Sequence, residues 1–472
     1  MTTPATDLTS HPWFFCGIGG SGMLPLALIL RGKGAEVAGS DRSHDQGRTP
    51  EKFAWLESLG FALHPQDGRG IVSPGQTLVA SAAVEDTVPE VVRAGELGCP
   101  RMSRAELLAA LFNAAPLGIA VGGTSGKSTV TGMIGWILTR CGQDPTIMNG
   151  AVMKNFVSPE APFASARVGA GPAFVSEVDE SDGSIALYRP AVAVLGNVSL
   201  DHKSLEELRD LFGAFLSRAQ VAAINLDDAE TRALAGRTQS AVTFGIANAE
   251  ADLGVFPGTI AERTDGLSAR LIDRRDESVH DLTLQVPGQH NLANALAAIA
   301  AANAAGVAVA DAVAALASFA GLARRFDVVG TSASGITVID DFGHNPDKVS
   351  ATLATLKAHP GRVIALFQPH GYGPLRQMGA ELAQVFARAL SPEDRVILTD
   401  PVYFGGTVDR SQGSERIVAL IAQAGGTAEH VPARADAADR IAALAAPGDR
   451  VVIMGARDDT LSLYARELLA RL

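Results

Sequence analysis

Gly122-Gly123-Thr124-Ser125-Gly126-Lys127-Ser128-Thr129 carries the clearest chemistry in the 472-residue chain. The run follows the apolar segment 118–121 and opens a helical segment, 130–138. A strand, a glycine-rich turn and a helix in that order aim backbone N–H groups and the positive end of the helix dipole at one point, which suits an anion. Gly123, Thr124, Ser125, Gly126 and Thr129 would wrap the phosphates of a nucleotide. Lys127 would lie along the β- and γ-phosphates, and Ser128 would reach Mg2+. The strict phosphate-loop pattern asks for glycine where this chain has Val121, so the loop is a shortened form. The plainer alternative is a glycine-rich turn with a surface lysine.

A second anion loop is written near the start. Gly17-Ile18-Gly19-Gly20-Ser21-Gly22 follows the apolar run 13–16, and Asp41 stands at the end of the next one, 36–40. That spacing matches the G-x-G-x-x-G fingerprint with its later acidic residue. Alone it suits NAD, and a tight turn with no ligand has the same glycines. A third cluster, Glu177-Val178-Asp179-Glu180-Ser181-Asp182-Gly183, follows the run 173–176. Glu177 stands at a strand's carboxyl end, where a metal bridging nucleotide phosphates needs an oxygen ligand. Asp179 and Asp182 fit a solvated acidic loop equally well. A fourth, Asn197-Val198-Ser199-Leu200-Asp201-His202, follows the run 191–195. His202 is either a metal ligand or an ordinary polar residue. If these runs are strands of one sheet, their carboxyl ends bring the phosphate loop, Glu177 and His202 together.

The elements that must position these residues follow from the hydrophobic pattern. Short apolar runs alternate with longer amphipathic stretches, which predicts parallel sheets with crossover helices. Length alone suggests three domains. Breaks near 114–117 and 323–326 divide the chain into 1–116, 117–323 and 324–472. In the middle part, helices are expected at 291–304 and 309–322. In the last part, strands at 336–339, 362–367, 395–398 and 450–454 each end in polar or glycine-rich residues. Ligands of open α/β sheets bind beyond such ends.

The balance of 39 Lys plus Arg against 51 Asp plus Glu gives a net charge of −12. That argues against nonspecific nucleic-acid binding, which depends on phosphate neutralisation. The segment 292–323 is apolar but interrupted by Asn294, Asn303, Gly306 and Asp311, so a buried helix pair is expected rather than a membrane span. Three cysteines with no C-x-x-C pair, and no signal peptide at the start, point to the cytoplasm.

Taken together the motifs resemble those of the Mur ligases, ATP-dependent ligases of peptidoglycan precursor synthesis. The likeness runs over nearly the whole chain in the family's order and is greatest to its alanine-adding branch. Besides the clusters above it rests on P-G-Q-H-N-L-A-N-A at 287–295, Arg324-Arg325-Phe326, D-D-F-G-H-N-P at 340–346 and F-Q-P-H at 367–370. The resemblance implies a Rossmann-like N-terminal domain, a central P-loop ATPase-like domain and a C-terminal Rossmann-like domain. It implies a uridine-diphosphate sugar at Gly17, Gly19, Gly20, Ser21, Gly22 and Asp41, making UDP-N-acetylmuramate and an amino acid the partners. ATP and two Mg2+ ions are the implied cofactors, the metals held by Ser128, Glu177 and His202. Asn291 and Asn294 would meet the adenine, Asp341 the ribose and Arg325 the phosphate. His344 would orient the incoming amine, with His370 and Arg376 also facing the amino acid. The implied catalytic set is Lys127, His202, Arg325 and His344.

Several positions depart from that branch. Ser125 stands where it has His, and Gly343-His344 where it has two histidines. Gly371-Tyr372-Gly373-Pro374-Leu375-Arg376 replaces a segment that carries two arginines, leaving Arg376 as a substitute cation. Ser217 lies near where some members carry a carbamylated lysine, so no carbamate is expected. The departures leave ATP chemistry intact and open the identity of the amino acid. A family member with another amino acid, peptide or carboxylate acceptor is one alternative. An NAD-linked oxidoreductase or noncatalytic nucleotide-binding protein is another.

Overall fold

The computed structural model describes residues 8–82, 84–199, 203–402, 409–456 and 458–472. It is an α/β chain of three domains, each built round its own sheet. Two compact units contain them. The first runs through Ala261 and adds Ser268–Gln285 and Asn291–Gly321, and the second comprises Glu262–Leu267, Val286–His290 and Leu322–Leu472.

The first sheet contains β1 (Trp13–Cys16), β2 (Val37–Ser40), β3 (Ala62–His64), β4 (Thr77–Ala80) and β5 (Arg101–Ser103), in the order β3-β2-β1-β4-β5. All its pairings are parallel. β1 reads WFFC and is buried along its whole length, as a strand covered on both faces must be. The order reverses beside β1, so the loop from β1 to the helix Met23–Gly32 opens at a switch point, the usual ligand crevice of such sheets.

Most of the second sheet belongs to the same unit, the exceptions being Glu262, Arg263, Gly266 and Leu267. Its strands include β6 (Leu117–Gly122), β7 (Thr146–Met148), β8 (Ala166–Arg167), β9 (Ala173–Glu177), β10 (Val192–Leu195), β11 (Val221–Asn225) and β12 (Ala241–Phe244). Shorter strands come next: β13 (Leu253–Val255), β14 (Ala261–Arg263), β15 (Gly266–Asp273) and β16 (Ser278–Leu284). β6 lies between β9 and β10 and is parallel to both. The register sets Val121 opposite Glu177 and Gly122 opposite Leu195. Three strands therefore end level with one another, and the loops beyond those ends must meet.

The helices after this sheet are Gln289–Ala304, whose Asn291–Ala302 stretch is mostly buried, and Val309–Leu316. No helix among the described residues is long and apolar enough to cross a membrane. The second helix stops six residues before the expected end. There the Asn155 amide intercepts the backbone, donating to Ser318 O at 2.8 Å and accepting from Ala320 N at 2.8 Å. A side chain remote in sequence thus replaces helical hydrogen bonding.

The third sheet contains β17 (Asp327–Thr331), β18 (Thr337–Asp341), β19 (Val363–Gln368), β20 (Arg395–Leu398), β21 (Ala428–His430) and β22 (Arg450–Gly455). Its order is β17-β18-β22-β19-β20-β21, with only β17 antiparallel to its neighbour. Apolar clusters fill both faces.

Candidate active site

The loop after β6 is fixed from below by β10. Asn197, two residues past that strand, accepts from Ser125 N at 2.8 Å and donates to Ser125 O at 2.9 Å. Thr124 Oγ1 accepts from Ser199 N at 3.0 Å. Gly126 caps the helix Lys127–Arg140 with φ +83°, a conformation that favours glycine. A methyl group there would sit 2.5 Å from Asn294 Oδ1, so the loop passes close against Asn294. Asn294 in turn donates to Asn291 Oδ1 at 3.1 Å. Both expected adenine contacts therefore stand beside the phosphate loop.

Lys127 Nζ donates to Gly123 O at 2.7 Å and to Glu180 Oε2 at 2.8 Å. The Glu180 side chain is only 7% exposed, so this is an ion pair sunk into the loop. Ser128 Oγ donates to Glu177 Oε2 at 2.8 Å. A Cβ at Gly150 would lie 2.3 Å from Glu177 Oε1 and 3.7 Å from Ser128 Oγ. Glycine there leaves the carboxylate and hydroxyl an open cradle. Two hard oxygen donors side by side beyond a phosphate loop fit a magnesium ion. His202 lies outside the described residues, as do Leu200 and Asp201. Thr129 continues the first turn of the helix.

The first glycine loop is held by Asp41. Its Oδ2 accepts from Gly19 N at 2.8 Å and its Oδ1 from Ser43 N at 2.8 Å. Ser40 O accepts from Gly17 N and Ile18 N. A Cβ on Gly19 would come 2.9 Å from the Phe53 ring. Lys52, buried to 7% exposure, donates to Gly19 O at 3.3 Å.

In the second unit Asp341 turns inward. It accepts from Phe326 N at 2.8 Å, Gly343 N at 2.8 Å and Thr352 Oγ1 at 2.9 Å. The first of these bonds ties Phe326, and Arg324 is held by Phe342 N donating to its carbonyl and by its guanidinium donating to Gly455 O; the two residues sit at φ +48° and +60°, values that non-glycine residues adopt only under constraint. Arg325, between them, lies over the Phe342 ring with its guanidinium carbon 4.4 Å from the centroid. His344 Nδ1 is 2.8 Å from Phe342 O. A carbonyl can only accept, so Nδ1 carries the proton and Nε2 presents a lone pair. Burial, with Lys348, His370 and Arg325 adding like charge, lowers the His344 pKa to about 3. His370 stacks edge-on at 4.9 Å. Arg376 pairs with Asp409 at 3.1 Å on the exposed side of its helix.

The sequence gives no role to Glu180 and Asn197 within their clusters, and does not single out Lys52. The signal for the first two was their place just beyond β9 and β10, the strands flanking the phosphate loop.

Family models match in the order the motifs predict. The model for the Mur ligase family catalytic domain covers residues 14–115, that for the middle domain 121–302, and that for the glutamate ligase domain 324–457. The chain belongs to the Mur ligase family. It is 36% identical over 463 residues to a UDP-N-acetylmuramate–L-alanine ligase from Agrobacterium fabrum, covering 94% of each chain. A protein of the same name from Desulforamulus reducens is 35% identical, with 97% of each covered. The solved UDP-N-acetylmuramate-alanine ligase of Thermotoga maritima superposes with a TM-score of 0.80 at 26% identity, covering 98% of this chain and 99% of that one. As a Mur ligase the protein is ATP-dependent.

Proposed function

We propose that this Mur ligase joins an amino acid, L-alanine first among candidates, to the carboxylate of UDP-N-acetylmuramate, forming ADP and phosphate in peptidoglycan precursor synthesis. One observation carries the reading: a single compact unit holds two anion loops, at 17–22 and 122–129, with the acidic turn after Glu177 reaching both. The alanine ligases that match over more than nine-tenths of both lengths support it.

Domain 1–116 takes the sugar nucleotide, 117–323 the ATP, and 324–472 supplies Arg325 and the amino-acid residues His344, His370 and Arg376. The substrate carboxylate oxygen attacks the γ-phosphorus. The bond from that phosphorus to the bridging oxygen breaks, and ADP leaves. The amine then attacks the acyl phosphate carbon and phosphate departs, leaving the amide. A carboxylate approaching ATP meets like charge, so cations must offset it. Lys127 does so at the transferring group, and Arg325 adds a second charge. Two magnesium ions, held by Ser128, Glu177 and His202, would supply further charge neutralisation. The neutral Nε2 of His344 accepts from the incoming amine and orients it. Asp341 holds the Arg325 segment through Phe326 N, and the family likeness gives it the ribose as well. The place of reaction is the cytoplasm, in keeping with three free cysteines.

A phosphate-release assay across UDP-sugars and amino acids tests the proposal. Lys127→Ala should lower turnover by at least about a hundredfold, the order for a lost transition-state charge stabiliser, with the fold intact. Near-normal ADP formation would remove this loop as the ATP site. One observation favours a second reading, another amino acid or a peptide as acceptor. Gly371 sits at φ +147°, so the backbone itself relies on the glycine that replaces the branch's arginine. In the same assay, a stronger response to another acceptor than to L-alanine would establish that reading.

A further inference from the structure

We propose that Arg324 is the positioning residue for Arg325: by clamping its own segment to the ends of two central strands of the third sheet, it fixes where the Arg325 guanidinium stands. The inference rests on reading Arg325 as a cation at the transferring phosphate. Arg324 is 9% exposed, and it and Phe326 both have left-handed backbone. That conformation is unfavourable for a residue with a Cβ, so the surroundings have to impose it. Arg324 ties the segment down through side chain and backbone alike. Its Nη2 donates to Gly455 O at 2.8 Å and its Nη1 to Asp458 O at 3.1 Å, carbonyls at the end of β22 and in the loop beyond it. Its own carbonyl accepts from Phe342 N at 2.8 Å, one residue past β18. β18 and β22 are parallel neighbours, with Asp341 opposite Met454. One residue thus fastens the chain to both strands at their carboxyl ends.

Arg325 depends on this clamp twice. Its Nη1 donates to Arg324 O at 3.2 Å, and its guanidinium carbon lies 4.4 Å from the centroid of the Phe342 ring. Phe342 is the residue bonded to that same carbonyl, and the Arg324 guanidinium carbon lies 5.0 Å from the same ring. A shift of Arg324 therefore moves both supports of Arg325 together. The charge of Arg324 is met inside the protein. Asp340 faces it at 3.6 Å, with side chains 11% and 2% exposed, and Asp459 adds a second carboxylate at 3.8 Å. The facing atoms, Arg324 Nε and Asp340 Oδ1, are buried and have no hydrogen-bond partner, so the pair holds by charge alone. The other oxygen of Asp340 accepts from Ser462 Oγ at 2.6 Å, which fixes the carboxylate to the helix after β22. A guanidinium buried, bonded to two carbonyls and neutralised in this way acts on its neighbour rather than on a substrate.

The test is a double-mutant cycle on the full-length protein, read as ADP formation from ATP with UDP-N-acetylmuramate and L-alanine. Arg325→Ala should lower kcat by at least about a hundredfold, as for a lost transition-state charge. Arg324→Ala should lower kcat by about 10- to 100-fold, the effect of misplacing a reacting group by about 1 Å, with the ATP KM within about twofold of wild type. In the Arg325→Ala background the same substitution should change kcat by less than about twofold, because the residue it positions is gone. Arg324→Lys keeps a charge beside Asp340 without the fork of donors and should fall between wild type and Arg324→Ala. If Arg324→Ala does not fold, Arg324→Lys and Asp340→Asn run the same cycle, each lowering kcat only where Arg325 is present. Wild-type kcat in the Arg324 variants, or a raised ATP KM with kcat unchanged, would overturn the assignment. An equal fold-loss in both backgrounds would overturn it too, making Arg324 a general support of the domain. Near-normal kcat in Arg325→Ala would instead defeat the reading of Arg325 as the phosphate cation.

Discussion

Glu180→Gln keeps the side chain's size and removes the carboxylate that neutralises Lys127. The pair is close, 2.8 Å, and its side chains are 18% and 7% exposed. At that distance the gross attraction is several kcal/mol at an effective dielectric of about 20, and desolvation of both ions offsets most of it. With Lys127 partly in solvent, a net of about 1–2 kcal/mol is reasonable. The nucleotide-free variant should lose that much stability, about 1–2 °C in Tm for a protein of this size. ATP reverses the sign of the effect. Its phosphates must take Lys127 from Glu180 in the wild type, a cost the variant does not bear. The variant should therefore bind ATP about 5- to 30-fold more tightly, the equivalent of the same 1–2 kcal/mol. Calorimetric titration with ATP and thermal unfolding with and without nucleotide measure both halves. Weaker ATP binding, or a Tm deficit undiminished at saturating ATP, would refute the competition and make Glu180 a support for Lys127 instead.

Gly150→Ala should push the Glu177 carboxylate back by about 1 Å, since the new methyl would start 2.3 Å from Oε1. A displacement of that size costs about a hundredfold in turnover, and half-saturation by Mg2+ should rise with it. An unchanged Mg2+ dependence would exclude Glu177 as a ligand. His344 carries a pH prediction. Its folded pKa, lowered by burial to about 3, lies below the ordinary value of 6.5, so the unfolded chain binds the extra proton between those limits. The wild type should lose stability relative to His344→Gln as pH falls from 6.5 towards 3, by at most about 2 kcal/mol for a part-buried ring. Parallel Tm curves for the two proteins over that window would contradict a buried neutral histidine.

The buried parallel strands were legible because both faces of each are covered. Trp13–Cys16 and 221–224 show as uninterrupted apolar runs, and the polar residues after such runs had to lie at the ligand edge. Glu177 and the two glycine loops could be read in that way. Which member of an acidic turn faces inward could not. Asp179 accepts from Ser181 N and Oγ at 2.9 and 2.7 Å, and Asp182 from Ser184 N at 2.8 Å. Those local bonds bend the turn so that Glu180, not its neighbours, drops onto Lys127. Asp41 and Asp341 carry the same lesson. Acidic residues at strand ends read as ligand contacts, yet both spend most of their bonding capacity on nearby backbone N–H groups.

The acidic turn also answers a problem of charge. A chain with net charge −12 has to gather a triphosphate, a diphosphate and a carboxylate, all of its own sign. It needs cations at the loops, and a cation out of water without a partner is costly. One short turn provides two such partners, Glu180 for Lys127 and Asp182 for Arg104, while its Glu177 accepts from the Ser128 hydroxyl. The bonds grade from close to loose, 2.8 Å at the ATP loop and 3.7 Å at the sugar-nucleotide loop. On the proposed assignment the looser pair would give up its cation more easily than the closer one. In the proposed reaction each arriving anion would displace a carboxylate, and the site would trade one counter-ion for another rather than build charge from nothing. The cluster that looked in the sequence like either a solvated face or a metal site is thus chiefly a set of counter-ions, and only Glu177 stands where a metal would.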